Sequence, residues 1–139
     1  DLDRSPFIGQ VAIKAERERG VKWDLVGLEI SWPELEELYG GYGLPPHLAP
    51  VACRASVPVY DAEGNQVGQV TSTTWSPTCK KYIALAQILR PHHEIGTELQ
   101  VEHTPQFERR TVTATVVEKP FFDPPRKRHT PGAKPPVEE

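Results

Sequence analysis

Five side chains of this sequence have the chemistry of metal ligands or nucleophiles: Cys53, Cys79, His92, His93 and His103. None of them shows the Cys-x2-Cys or His-x3-His type of spacing that supports a metal site in a sequence. The adjacent pair His92–His93 follows a proline in a predicted loop, where exposure to solvent is the ordinary explanation. The spacing therefore argues against a metal centre.

The sequence indicates nucleophilic or phosphate-binding chemistry no more strongly than it indicates a metal centre. A reactive cysteine needs a thiolate, and Lys80 and Lys81 place positive charge beside Cys79, but a cysteine next to a strand is more often simply half-buried. The glycine-rich run 40–43 does not follow a strand and open a helix, and no Gly-Lys-Ser/Thr follows it, so we interpret it as a flexible connector. The residues taken alone predict no self-contained active site.

Composition narrows the class of protein. The chain has 139 residues, with 16 Lys and Arg against 19 Asp and Glu, and this near-balance argues against a nucleic-acid partner. No apolar run is long enough to span a bilayer, so no membrane is expected. Two cysteines cannot form a disulfide framework, which favours a reduced, cytoplasmic protein. The sequence contains no Met and opens on Asp1, so we expect a piece of something longer.

The alternation of apolar and polar residues predicts a β-rich domain. The stretch 68–86 begins as a strand, breaks at Ser76-Pro77 and resumes as a buried strand at 83–86, because proline cannot continue a central strand. A hairpin turn is predicted at 61–65. In the strand predicted at 54–60, Pro58 indicates an edge or a bulge. Further strands are predicted at 21–30, 96–103 and 110–117, and about six strands separated by turn signals predict a small antiparallel barrel.

Two helices and a tail complete the prediction. Ser5 as N-cap and Pro6 at the first helical position predict a helix that ends at Gly20, with Gly9 inside it permitting close packing. A short helix is predicted at 31–39, within an insertion spanning 31–52. From 123 to 139 five prolines and almost no large apolar residues predict a disordered tail. The domains are therefore a joining helix at 1–20, a barrel at 21–122 and the tail.

Three segments together carry a family resemblance. Residues 3–9 (DRSPFIG) resemble the helix-opening motif of the glycine cleavage T-protein (aminomethyltransferase) family. Residues 68–86 (GQVTSTTWSPTCKKYIALA) are similar to the family's "G-x-V-T-S-G-x-x-S-P-x-L-x-x-x-I-A-L-A" signature. Residues 96–101 (GTELQV) with the later PFF at 120–122 resemble its closing motif. The chain is thus identified as a C-terminal barrel of this family, preceded by a helix.

The sequence also departs from the family pattern in four places. Thr73 stands where the family usually has Gly, Cys79 where it has Leu, and Arg4 where it has Lys. The segment 31–52 is longer than the usual link. These departures raise the hypothesis of a divergent subfamily with a different substrate.

The resemblance implies a parent enzyme that transfers a one-carbon unit to tetrahydrofolate. Its general base, an Asp, and most pterin contacts belong to preceding domains, so this chain would form one wall of the folate cavity and would not be catalytic alone. The cofactor-binding residues implied here are Arg4, Arg54, Trp75 and Ser76. The implied partners are the preceding domains and, further, a lipoyl carrier protein.

Two alternatives from other classes stay open. One is a non-catalytic folate-binding relative, although the chain lacks the Lys-Gly-Cys-Tyr-x-Gly-Gln/Glu motif of such relatives. The other is a protein-interaction domain that uses the segment 31–50 and the basic tail to contact a carrier protein.

Overall fold

A computed structural model describes residues 2–3, 5–48 and 51–128. The helices are α1 (Gln10–Arg19) and α2 (Trp32–Gly40). The strands are β1 (Trp23–Ile30), β2 (Val57–Tyr60), β3 (Gln66–Ser76), β4 (Lys81–Leu89), β5 (Glu98–His103) and β6 (Arg110–Val117). Short 3-10 turns lie at Arg90–His92, Pro105–Phe107 and Pro125–Arg128.

The strands close into one antiparallel barrel in the order β1-β4-β3-β2-β5-β6. Side chains alternate along each strand, and the inward set fills the barrel as its core. Its largest fully buried members are Leu28, Ile30, Leu35, Ile88, Leu99, Val59, Val70, Val101, Val112 and Val116. The predicted mainly β, six-stranded antiparallel barrel with two helices is confirmed.

The joint between β2 and β5 is the shortest in the barrel. Only Val59 and Tyr60 of β2 pair in register with β5, whereas Pro58 pairs only with β3. The register of β2 against β3 also shifts between Val59 and Tyr60. Of the two alternatives predicted from Pro58, an edge or a bulge, the structure shows the bulge, because pairing to β5 begins one residue later and closes the barrel.

The turns between strands follow the sequence signals. The carboxylate of Asp61 accepts the backbone N–H groups of Glu63 and Asn65 at 3.0 and 2.8 Å, and Gly64 has a φ of 84°. The strand break at Ser76-Pro77 is likewise confirmed, since β3 ends at Ser76 and β4 begins at Lys81.

Gly68 lets β3 and β4 approach closely. A Cβ atom placed there would lie 2.3 Å from the carbonyl oxygen of Gln87 and 2.5 Å from Cδ1 of Ile88. Real Cβ atoms do not approach other atoms this closely, so only glycine fits this position of β3.

Helix α1 begins later than predicted. Its first residue is Gln10, and Gly9 precedes it with a left-handed φ of 90°, so the predicted N-cap at Ser5 and helical start at Pro6 are wrong. No atom lies within 4 Å of a Cβ at Gly9, so the glycine provides a backbone conformation, not close packing. The predicted stop at Gly20 is confirmed. Ile8 and Val11 are 104% and 82% exposed, and α1 has no buried residue.

Helix α2 is part of the core. Leu35 is 1% exposed, and Trp32, Leu38 and Tyr39 pack against the buried cluster. The backbone N–H of Ser31 donates to the carbonyl of Thr113 at 2.8 Å, which fixes α2 beside β6. The predicted helix is confirmed, and it closes part of one barrel end; its description as an insertion stays a prediction.

The chain after β6 packs back onto the barrel. A Cβ at Gly27 would lie 2.9 Å from Cε1 of Phe121, so the phenyl ring lies directly on the backbone of β1. The turn Pro125–Arg128 follows. Most of the predicted disordered tail, from residue 129 onward, lies outside the described residues.

Candidate functional site at one end of the barrel

One end of the barrel brings together six of the candidate residues: Cys53, Arg54, Trp75, Ser76, Cys79 and His103. There, β1, β3 and β5 finish, β2, β4 and β6 begin, and α2 packs against the core. We call it the α2 end. Antiparallel closure therefore brings together segments that are far apart in the sequence.

Trp75 and Ser76 lie here at the last two positions of β3. The ring of Trp75 packs against that of Trp32 in α2, with centroids 5.0 Å apart and planes tilted by 58°. The hydroxyl oxygen of Ser76 accepts the backbone N–H of Cys79 at 3.2 Å. Trp75 thus helps to hold α2 in place, and Ser76 stabilises the turn before β4.

Arg54 is brought to the same end by a short backbone bridge. Cys53 and Thr73 exchange two N–H···O bonds of 2.8 and 2.9 Å, which lays the chain around Arg54 beside the end of β3. Arg54 is exposed, and it forms no ion pair with any described residue. Arg4 lies outside the described residues.

The structure shows the surroundings of Thr73 and Cys79, two of the residues that depart from the family pattern. Thr73 is in the β3 ladder opposite Ala84 and is not among the described residues with positive φ, so a threonine is accommodated without strain. The thiol of Cys79 lies 3.6 Å from the carbonyl oxygen of Phe121. Both cysteines are free and half-buried.

A cavity of about 310 Å³ opens at the α2 end, on the side formed by β2 and β5. Its walls include Val57, Thr73, Tyr82, Val101 and His103. We call it the mouth cavity. Arg54, Trp75 and Ser76 are not among its lining residues, so they share the barrel end with this cavity without entering it.

His103 is the unusual member of the mouth cavity. It follows Leu99 and Val101 in the inward-facing series of β5. Its Nε2 atom is buried and has no hydrogen-bond partner among the described residues. Burial lowers the pKa of His103 below its ordinary 6.5, because a charged ring is poorly solvated there. The ring is therefore neutral at physiological pH.

Sequence reasoning did not connect His103 with a cavity. The histidine was weighed only as a metal ligand, and among the described residues no group of three His, Cys, Asp or Glu side chains has a suitable arrangement. The period of two in β5 was the signal that could have found it, since a strand with Leu99 and Val101 inward also turns His103 inward.

Glu102 points away from the barrel interior and is already engaged. Its carboxylate accepts the hydroxyl of Tyr60 at 3.0 Å and lies 3.4 Å from Nε of Arg109. The hydrogen bond to Glu102 raises the pKa of Tyr60, because it stabilises the protonated phenol. The charge of Glu102 at the cavity rim is thus compensated.

Comparison with known proteins places this barrel in a family. The family described as the glycine cleavage T-protein C-terminal barrel domain matches residues 24–123. The aminomethyltransferase of Thermosynechococcus vestitus is 36% identical over 126 residues, which are 91% of this chain and 28% of that protein. The aminomethyltransferase of Bacillus velezensis is 34% identical over 123 residues, 88% of this chain and 28% of that protein.

A solved structure supports the same fold. The glycine cleavage system aminomethyltransferase T of Bartonella henselae superposes with a TM-score of 0.62 at 22% identity, covering 84% of this chain and 26% of that one. In the part of the chain that the structure describes, no helix has the length and apolar character needed to cross a membrane. This chain spans little more than a quarter of the curated relatives it matches, and it belongs to the glycine cleavage T-protein C-terminal barrel domain family.

Proposed function

We propose that this chain is the C-terminal domain of a tetrahydrofolate-dependent aminomethyltransferase and forms one wall of its folate cavity. The observation that carries the proposal is the family match over residues 24–123, together with relatives that are named aminomethyltransferase and are far longer than this chain. The catalytic groups are assigned to the preceding domains, which are the partners of this one, and a lipoyl carrier protein is a further partner. A cytoplasmic location agrees with the two free thiols.

The residues proposed to face the cofactor are Arg4, Arg54, Trp75 and Ser76. Arg54 has an exposed guanidinium without an ion pair among the described residues, and such a group suits the carboxylates of a folate. Trp75 is half-buried, and its indole is of the type that stacks on a ring system. Tetrahydrofolate would supply the acceptor for the one-carbon unit, and these residues would bind and orient it.

Calorimetric titration with tetrahydrofolate tests this division of labour. A protein comprising this chain and its preceding domains should bind at micromolar concentration, about −8 kcal/mol, while the 139-residue chain should bind weakly or not at all. Arg54→Ala in the longer protein should weaken binding by roughly 1 kcal/mol, since a charge-assisted contact is lost. Arg19→Ala, an exposed change of equal charge in α1, is the matched control. Micromolar binding by the isolated chain would contradict the proposal.

A protein-interaction function is the second candidate, favoured by the loop between β5 and β6. Gln106 and Phe107 have left-handed φ values of 50° and 65°, and Phe107 is 97% exposed. Such conformations cost about 1 kcal/mol or more for residues other than glycine. The hydroxyl of Tyr42 donates to the carboxylate of Glu108 at 2.8 Å, which ties this loop to the segment after α2.

Point substitutions test this second candidate better than deletion of the segment 31–50, because that segment contains Leu35 of α2, which belongs to the core. Phe107→Ser in the longer protein should lower turnover with a carrier-bound substrate and leave turnover with a free small substrate unchanged. Ile95→Ser, an exposed apolar position beyond the opposite end of β4, is the control. Equal loss with both substrates would exclude the interaction function.

A further inference from the structure

Helix α1 presents apolar side chains that the described part of the chain leaves uncovered. Ile8, just before the helix, is 104% exposed, and Val11 in its first turn is 82% exposed. Ala12 is exposed and Ala15 is half-buried. Val11, Ala12 and Ala15 are one and four positions apart, a spacing that places them on one side of a helix. We call Ile8, Val11, Ala12 and Ala15 the α1 surface.

A helix of this length is not stable by itself in water. Helix α1 has 10 residues, and isolated helices shorter than about 12–15 residues are marginal. Most helices in proteins are stabilised because an apolar side packs on another element. Helix α1 buries no residue against the described part of the chain. We therefore expect a further element to cover the α1 surface.

The residues before α1 lie along a different side of the helix. The side-chain amide of Gln10 donates to the carbonyl oxygen of Leu2 at 2.8 Å, and the ammonium of Lys14 lies 3.9 Å from the carboxylate of Asp3. Gln10 and Lys14 are four positions apart, so they share a side that is rotated by about 100° from the α1 surface. The segment that enters the helix thus runs beside it and leaves the α1 surface open.

The relatives indicate which element covers this surface. The barrel family matches from residue 24 onward, after α1. The alignment with the Thermosynechococcus vestitus protein includes 126 of the 139 residues, so it leaves out at most 13 and contains the second half of α1. The aligned part is 28% of that protein, and since the barrel is C-terminal, most of the remainder precedes α1. Preceding domains would join this chain through the segment that lies beside α1.

We propose that the α1 surface is a docking surface for the preceding domains of the same protein, which cover it with an apolar surface of their own. Ile8 and Val11 are the larger side chains that this contact removes from water. The small side chains of Ala12 and Ala15 let the partner approach the helix closely. The inference rests on the proposed place of this chain at the C-terminal end of a longer protein, but it involves no contact with folate.

Hydrogen exchange measured by mass spectrometry in the absence of folate tests the docking. The amides of α1 are compared between the 139-residue chain and a protein comprising this chain and its preceding domains, each at two concentrations tenfold apart. We expect α1 to exchange at least about tenfold more slowly in the longer protein. The amides of β3 and β4 should differ by less than about twofold. Because folate is absent, the result does not depend on the proposed folate wall.

Two variants of the longer protein and a control assign the contact to the α1 surface. Val11→Asp places a charge there, although an acidic residue in the first turn suits the helix dipole. Ala12→Arg adds bulk there, although arginine is a good helix former. Each should return the exchange of α1 to within about threefold of its rate in the 139-residue chain, while the barrel amides stay protected. Arg17→Gln changes the net charge by the same amount as Val11→Asp, on another side of the helix, and should alter the exchange by less than about twofold.

Three results would overturn the proposal. The first is the same exchange rate of α1 in both proteins, as expected if α1 stays exposed or packs on its own barrel. The second is protection of α1 in the 139-residue chain that increases with concentration, which would identify a second copy as the partner. The third is unchanged protection of α1 in Val11→Asp and Ala12→Arg, since the contact would then lie elsewhere on the helix.

Discussion

Replacing Gly68 by alanine is expected to destabilise the barrel strongly, because β3 and β4 leave no room for a methyl group. The new Cβ would lie 2.3 Å from the carbonyl oxygen of Gln87 and 2.5 Å from Cδ1 of Ile88. The oxygen is backbone, and Ile88 is fully buried, so neither atom can move aside alone. Overpacking costs about 1–3 kcal/mol, and a backbone contact puts this change at roughly 3 kcal/mol.

Two other glycines calibrate that magnitude. At Gly27 the nearest atom is Cε1 of the half-buried Phe121 at 2.9 Å, which can rotate, and the nearest backbone atom is the carbonyl oxygen of Val117 at 3.2 Å. That backbone contact is 0.9 Å longer than the one at Gly68, so Gly27→Ala should cost about 1 kcal/mol. At Gly40, the last residue of α2, nothing lies within 4 Å, and alanine should stabilise the chain by up to about 1 kcal/mol.

Urea unfolding followed by tryptophan fluorescence measures all three variants, since the chain contains 3 Trp. The expected order of stability is Gly40→Ala, parent, Gly27→Ala and Gly68→Ala. Thermal midpoints should follow, with a change of about 4 °C for each kcal/mol in a domain of this size. A Gly68→Ala protein as stable as Gly27→Ala would refute the reasoning, because backbone crowding would then cost no more than a movable ring.

Two further predictions concern the α2 end. Leu35→Ala should cost about 2–5 kcal/mol in urea unfolding, because Leu35 is 1% exposed, whereas Val11→Ala in α1, at 82% exposure, should cost almost nothing. The N–H of Thr113 donates to the Glu34 carboxylate at 2.8 Å, and this hydrogen bond lowers the pKa of Glu34 from 4.5. Its contribution to the stability of the fold is therefore complete above pH 4.5 and is lost as the pH falls through the folded-state pKa. Glu34→Gln should therefore cost roughly 0.5 kcal/mol at pH 7 and less at pH 3 by urea unfolding, a small value because the group is exposed to solvent; equal costs would contradict it.

Strand positions could be predicted from the sequence because each strand had a clear local signal. The alternation in β5 and β6 and the Ser76-Pro77 break are properties of neighbouring residues, and the structure agrees with them. The start of α1 could not be obtained this way. Ser5 and Pro6 form a good helix-opening pattern, but the left-handed φ of Gly9 excludes a helix across it. Nothing in the residue types at 5–9 indicates that Gly9 adopts this conformation.

The choice between an edge and a bulge at Pro58 could not be made from the sequence for a similar reason. Pro58 indicates that β2 lacks one backbone hydrogen bond, but it does not indicate how far the neighbouring strand β5 extends. Pairing between β2 and β5 begins at Val59, so the barrel closes just past the proline. Whether a strand is an edge is decided by the length of its partner, which lies about 40 residues away in the sequence.

The division of the α2 end into a covered side and an open side follows from how α2 is held. Ser31 and Glu34 both bond to Thr113 of β6, and Leu35 fills the core from there. The helix has only 9 residues, about 14 Å at 1.5 Å per residue. It therefore covers the side near β6, where Trp32 also reaches Trp75 at the end of β3, and it leaves the side formed by β2 and β5 to the mouth cavity. Covering one side with the helix is what leaves His103 facing a cavity.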